Sequence, residues 1–184
     1  MFRQIHHCQI QLRLGNLIDS QTDSIVTAAN TQLQGGGGVD GAVHSAAGPE
    51  LLDELQTQYP QGCPTGQAVL TTAHALPYRC IIHAVGPIWR GGIGQEKERL
   101  AQAYFSALHL AKQANVESIS FPSLSTGAYG MPLDIAAEIA IATVKGFLTR
   151  DQSLQIVEFV LWTESDYAAY SRALEAIVTS EPHA

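Results

Sequence analysis

Cysteine is scarce in this chain and poorly spaced for chemistry. Cys8, Cys63 and Cys80 are odd in number, far apart and form no Cys-x-x-Cys pair. That argues against a disulfide framework or a zinc ribbon, and for reduced, buried thiols. Positive charge is also short: 10 Lys and Arg stand against 17 Asp and Glu, a formal net charge of -7, with no basic cluster. A clamp on nucleic-acid phosphates is therefore not expected. An anionic small ligand remains open, because backbone N–H groups and helix N-termini bind phosphate without lysine. No apolar run reaches membrane-spanning length, and MFRQIHHCQIQLRLGN alternates polar and apolar residues instead of forming a signal-peptide core. The expectation is a cytoplasmic protein with no membrane association. Internal repeats and low-complexity linkers are absent too, so the 184 residues are read as one domain, 1–184.

What is present alternates. Short apolar segments at 9–14, 24–29, 68–72, 80–85, 118–121 and 155–161 read as about six strands, most of them covered on both faces. Helical patterns fill 39–47, 50–59, 96–114, 133–148 and 165–179. This order predicts an α/β fold, a three-layer α/β/α sandwich around a largely parallel sheet. Pro49 and Pro132 stand where helices begin, and Asp134 suits the positive end of a helix dipole. The segment GPIWRGGIGQ, 86–95, reads as a surface loop.

In such a sheet, ligands collect beyond the carboxyl ends of the strands. Two loops there are rich in small residues and lead into helices: NTQLQGGGGVDG after the second predicted strand and FPSLSTGAYGMP after the fifth. Each brings bare backbone N–H groups and a positive helix end to one place, as a diphosphate requires when no lysine is supplied. The formal GxGxxG at Gly36, Gly38 and Gly41 is not a dinucleotide fingerprint, because four residues separate Asn30 from the glycines and no acidic residue ends the next strand. A P-loop fails for want of Gly-Lys-Ser or Gly-Lys-Thr, and Ser125 sits in no GxSxG elbow. Asp40, repulsive to phosphate, is better aimed at a sugar hydroxyl or a water, and so is a candidate general base.

GGGGVDGAVHSAAGPELLDE, CPTGQAVLT, IIHAVGPIWRGG and FPSLSTGAYGMP resemble, in order and spacing, the macrodomains, specifically the bacterial O-acetyl-ADP-ribose deacetylase and MacroD-type branch. The resemblance runs over nearly the whole chain and implies an α/β/α sandwich with a mixed sheet, binding ADP-ribose across the two loops. By position it implies that Gly38 and Val39 contact the ligand from the first loop. Ser125, Thr126, Gly127, Ala128 and Tyr129 wrap the diphosphate and distal ribose from the second. Asn16 and Leu17 stand at the adenine position, Asn30 at the asparagine that positions the distal ribose, and Asp40 at the catalytic aspartate. Trp162 stands where the family often places an aromatic against adenine.

The implied reaction is hydrolysis of an ester on the distal ribose, releasing acetate from O-acetyl-ADP-ribose or ADP-ribose from acidic side chains of mono-ADP-ribosylated proteins, with no metal or redox cofactor. The ligand set of the zinc-dependent macrodomain branch cannot be assembled from the cysteines and scattered histidines. A non-catalytic ADP-ribose reader is the alternative, and the bacterial branch also implies regulation of ribonuclease III through the outer surface.

Three positions depart from the family pattern. Asn16 replaces an aspartate, which predicts weaker adenine selection: a charged hydrogen bond contributes about 1.5 to 3 kcal/mol and a neutral one about 0.5 to 1.5. Thr27 replaces an asparagine, and Met131 an aromatic; both are read as packing changes. His44, four residues after Asp40, shares its helical face and can reach the carboxylate. His83 is read as a strand-core residue, and His6, His7 and His183 carry no argument.

Overall fold

The computed structural model describes residues 1–177. The predicted end of the last helix, Thr179, and His183 lie outside the described residues. Seven strands form one sheet: β1 (Phe2–Ile5), β2 (Cys8–Leu14), β3 (Ser24–Ala28), β4 (Ala68–Thr71), β5 (Cys80–Ala84), β6 (Ser118–Phe121) and β7 (Ile156–Leu161), in the order β1-β2-β7-β6-β3-β5-β4. The five inner strands run parallel, while β1 and β4 pair antiparallel at the two edges. The sheet is therefore mixed, as the family resemblance implied, with seven strands where the sequence pattern predicts about six. The strand missed is β1. It is a four-residue edge strand with one buried side chain, Ile5, joined to β2 through His6 and His7, with His6 at φ 52°. Such a turn carries none of the Asn-Gly or Asp-Gly signals of a hairpin.

The described helices are α1 (Gly38–Ala47), α2 (Glu50–Gln58), α3 (Glu96–Gln113), α4 (Leu133–Leu148) and α5 (Glu164–Ala176), with a short 3-10 turn at Leu17–Asp19. Their apolar stripes sort them onto opposite faces of the sheet. Val43, Ala47, Leu51 and Leu55 of α1 and α2 pack on Ile25 and Ile81, and the larger core joins α3, α4 and α5 to Ile82, Ile119, Phe121 and Phe159. Each such large side chain contributes about 1.5 to 3 kcal/mol on full burial, which is what holds the three layers together. Helix starts follow their capping chemistry. Pro132 precedes α4 as its N-cap, not in its first turn, while Thr163 and Asp166 form a capping box on α5.

The topology also locates the crevice. The carboxyl ends of β2, β7, β6, β3 and β5 share one edge of the sheet. After β3 the chain crosses to edge strand β4 and returns in β5 beside β3, whereas after β6 it crosses to β7 on the other side, so β3 and β6 flank a topological switch point. The two strands pair only through Ser24 with Ile119 and Ile25 with Ser120, while β3 stays paired with β5 along its full length. They separate before their loops begin, and both small-residue loops leave from the two sides of that gap.

Candidate functional site

The first loop is held open by Asn30. Its side-chain Nδ2 donates to the Gly35 carbonyl at 2.9 Å, and its Oδ1 accepts from the N–H groups of Gln32 at 3.0 Å and Gln34 at 3.4 Å. Gly38 opens α1 at φ 60°, a left-handed backbone that glycine adopts without strain. Gly41 is required by space: a Cβ there would lie 2.4 Å from the Gly36 carbonyl oxygen. The glycine run therefore packs directly on the first turn of α1. The N–H groups of Gly35 through Asp40 donate to no other group among the described residues.

The second loop is fastened from below and at its closing end. Leu124 N–H donates to the buried Tyr104 hydroxyl at 3.1 Å, and the Tyr170 hydroxyl donates to Ser123 Oγ at 3.0 Å. Met131 N–H returns to the Ser125 carbonyl and Gly130 N–H to that of Gly127, both at 2.9 Å. Ser125 adopts φ 67°, uncommon for a residue with a side chain. Its hydroxyl finds no partner among the described residues and lies against Gly86, where a Cβ would come within 2.2 Å of it. The loop thus offers backbone and not a serine nucleophile. The N–H groups of Ser125, Thr126, Gly127, Ala128 and Tyr129 are all without an internal acceptor among the described residues. Successive free N–H groups of this kind form a concavity that binds anions.

The 86–95 segment closes against this loop, with Trp89 N–H donating to the Tyr129 carbonyl at 2.8 Å. Its far end is gathered by Glu96, whose buried carboxylate accepts from the N–H groups of Arg90, Gly92 and Gly94 at 2.9, 3.2 and 2.5 Å.

Asp40 sits in the first turn of α1 and is 3% exposed. Its Oδ1 accepts a 2.9 Å hydrogen bond from Thr27 Oγ1 on β3, and His44 Nε2 lies 3.8 Å from the same oxygen. Its Oδ2 faces the glycine loop: a Cβ on Gly36 would be 3.7 Å from Oδ2 and 3.8 Å from Asn30 Nδ2. Gly36 thus lies between the two polar residues singled out by the sequence. Burial pushes the Asp40 carboxyl above the usual carboxylate range, opposed by the Thr27 hydrogen bond and the nearby His44. A carboxylate with one oxygen anchored and its proton affinity raised has the properties of a general base.

At the other end of the crevice, Asn16 follows β2 and caps the 3-10 turn, its Oδ1 accepting from Ile18 N–H at 3.3 Å. Arg13 fixes it from beneath, pairing with Glu158 at 3.0 Å while its Nη2 donates to the Asn16 carbonyl at 3.3 Å. The Leu17 side chain is buried in the core, which leaves its backbone as the part facing outward. Trp162, just past β7, is 72% exposed and not a core residue.

Every site residue named from the sequence therefore lies at one edge of the sheet, and Thr27, Gly41, Gly86, Tyr104 and Tyr170 are added to them. Thr27 corrects the sequence reading: it is a hydrogen-bond partner of Asp40, not a packing change. Met131 is buried at 2% exposure, in keeping with a packing role. His83 is a strand-core residue as expected, fully buried on β5, its Nε2 2.9 Å from Thr71 Oγ1. Burial, with His44 nearby, holds its ring down to about 3, so the imidazole is neutral. The three cysteines are free and buried, and burial pushes the Cys8 thiol up to about 12. One grouping was not legible from the sequence: Asp40, His44 and His83 each bring a donor atom to within 4.8 Å of the others.

Comparison with known proteins matches residues 26–140 to the Macro domain model. An O-acetyl-ADP-ribose deacetylase from Klebsiella pneumoniae (strain 342) is 50% identical over 90% of this chain and 96% of its own length. The Oceanobacillus iheyensis macrodomain with ADP superposes with a TM-score of 0.92 at 41% identity, covering 98% of this chain and 97% of that one. The Trypanosoma brucei macrodomain in complex with ADP-ribose gives a TM-score of 0.82 at 41% identity, over 90% of this chain and 68% of its own. With its sheet order, paired N–H loops and buried aspartate, this chain belongs to the Macro domain family.

Proposed function

We propose that this macrodomain binds ADP-ribose derivatives across the switch-point crevice and hydrolyses an ester on the distal ribose. O-acetyl-ADP-ribose is the small-molecule substrate, and ADP-ribose esterified to acidic side chains of proteins is a second substrate of the same bond type. The observation that carries this reading is the meeting of two runs of free N–H groups with a buried carboxylate whose Oδ2 faces the glycine loop. The Ser125–Tyr129 N–H groups suit a diphosphate, which they can bind without lysine. Trp162 and Asn16 suit adenine, through ring stacking and a hydrogen bond from its amino group. Asn30, through the Gly35 carbonyl, sets the backbone that meets the distal ribose.

In the reaction, Asp40 Oδ2 accepts a proton from a water as its oxygen bonds to the ester carbonyl carbon. The carbonyl oxygen gains negative charge, which free N–H groups of the glycine run stabilise. Collapse breaks the bond to the ribose oxygen, and the proton held by Asp40 passes to that oxygen, leaving acetate and ADP-ribose. No step calls on a metal. Similarity to a named O-acetyl-ADP-ribose deacetylase at 50% identity supports this substrate over an unrelated ester.

The test is acetate release from O-acetyl-ADP-ribose by wild type and Asp40→Asn, with ADP-ribose affinity measured in parallel. The reading expects acetate release by wild type, its loss in Asp40→Asn, and binding retained in both. Wild type that binds ADP-ribose yet frees no acetate, and removes no ADP-ribose from a carboxylate-linked peptide, is a reader instead.

A further inference from the structure

We propose that Asp40, His44 and His83 form a binding site for a divalent transition-metal ion of the zinc class, between α1 and β5 beside the glycine loop. Their donor atoms lie within 4.8 Å of one another, and the closest recorded approach is 3.8 Å between His44 Nε2 and Asp40 Oδ1. Two imidazoles and one carboxylate are a donor set that zinc accepts with one position left open. Tetrahedral bonds of about 2.0 to 2.1 Å place donors roughly 3.4 Å apart, so a pair at the 4.8 Å limit must close by about 1.4 Å. His44, with its side chain 14% exposed, is the member nearest solvent.

The independent observation is the state of His83. Its ring is fully buried, Nε2 is engaged by Thr71 at 2.9 Å, and Nδ1 has no partner among the described residues. Buried polar atoms are rarely left unsatisfied, and an orphan of this kind points to a water or an ion. A histidine that ligates a metal characteristically engages its second nitrogen with a fixed partner. Thr71 supplies that partner for His83, and Thr27 does the same for Asp40 Oδ1 at 2.9 Å. Both deeply buried donors therefore already have the outer hydrogen bonds of metal ligands.

An ion has a route in. A groove of about 430 Å³ walled by the glycine run at Gly35 and Gly36 and by Gly41, His44, Pro49 and Leu52 opens the His44 side of the cluster to solvent. Binding there engages Asp40, so on the hydrolase reading above, which this consequence alone rests on, the loaded protein releases acetate more slowly.

The experiment is equilibrium binding of Zn²⁺, without substrate, to wild type and to three variants checked for folding by circular dichroism. Co²⁺ absorption spectra serve as a second readout. His6→Ala with His7→Ala removes an adjacent pair of exposed histidines as a competing site. The expected result is one Zn²⁺ per chain in wild type and in that double variant. His44→Ala should lose about a hundredfold or more in affinity, and Thr71→Val about tenfold, as outer-partner losses do. Co²⁺-loaded wild type should show strong visible bands of a four-coordinate centre that His44→Ala lacks. Uptake that is not saturable at one per chain, that His44→Ala leaves unchanged, or that the His6/His7 variant abolishes would overturn the site. Because these readings involve no turnover, a protein that binds Zn²⁺ but frees no acetate refutes the hydrolase reading alone.

Discussion

Thr27 on β3 donates to Oδ1 of Asp40 on α1 across 2.9 Å, and both side chains are buried. This bond joins the sheet to the first turn of the helix and leaves the second carboxylate oxygen turned to the glycine loop. Thr27→Val keeps the shape and removes the donor. Hydrogen bonds to charged groups contribute about 1.5 to 3 kcal/mol, so urea melts should show a loss of that order. Asp40 loses an interaction that lowers its pKa, so its proton affinity should rise further and acetate release should fall. Thr27→Ser should recover both.

Gly41 tests whether the glycine run is shaped by the helix beneath it. An added Cβ would meet the Gly36 carbonyl oxygen at 2.4 Å, and that atom is backbone and cannot rotate away. Gly41→Ala should push the loop outward at a cost of about 1 to 3 kcal/mol, the usual range for overpacking. Calorimetry with ADP-ribose should show at least a tenfold loss of affinity. Gly146→Ala, on α4 away from both loops and with nothing within 4 Å of an added Cβ, is the control and should bind as wild type does.

Asn16 offers the adenine site an uncharged acceptor already engaged with Ile18 N–H. Asn16→Asp supplies charge while keeping the capping geometry. The difference between charged and neutral hydrogen bonds, about 1 kcal/mol, corresponds to roughly a fivefold gain in ADP-ribose affinity. An unchanged affinity would mean that this position does not select adenine.

Much of this was legible in the sequence, and the failures have a common cause. The inner strands and their following loops announce themselves because burial on both faces produces short apolar runs, and because bare-backbone loops need small residues. Asn30 and Asp40 could be picked out because they bracket such a loop. The bond from Thr27 to Asp40 could not, since it depends on how α1 lies across β3. Nor could the two tyrosines under the second loop, which read as ordinary helix-core residues until Tyr104 meets Leu124 N–H. The spacing of Asp40 and His44 is visible as one helical turn. His83 joins them only because β5 pairs with β3, bringing Thr27 and His83 side by side in register. Edge strand β1 was missed for the opposite reason: with so little burial, it leaves little pattern.

Acid stability has a separate source. Asp151 pairs with Lys112 at 2.5 Å and accepts from both the Ser153 hydroxyl and, at 2.9 Å, the Ser153 N–H, and these contacts hold its carboxyl down to about 2, below its ordinary value of 3.8. A carboxyl with a depressed folded-state pKa adds stability that is complete above the unfolded value and is lost as pH falls through the folded one. The stability gap between wild type and Asp151→Asn should therefore be full at pH 6 and narrow progressively between about pH 4 and pH 2. Urea melts at pH 6, 4 and 3 would measure it, and a gap independent of pH would assign the effect to packing.

Trp162 separates ligand binding from folding. At 72% exposure its ring contributes little to the core, so Trp162→Ala should leave the melting transition within about 0.5 kcal/mol of wild type, as surface substitutions do. Stacking of a nucleobase on an aromatic ring is worth about 1 to 3 kcal/mol by alanine substitution. ADP-ribose affinity should then fall by roughly 5- to 150-fold, with Trp162→Phe recovering most of it. The chain has two tryptophans, and Trp89 is half-buried in the loop tied to Tyr129. Quenching of tryptophan fluorescence on ADP-ribose addition should be lost in Trp162→Ala and retained in Trp89→Phe. Ribose 5-phosphate, which lacks the base, should bind wild type and Trp162→Ala alike. An equal loss for both ligands would place Trp162 in support of the crevice wall and not against adenine.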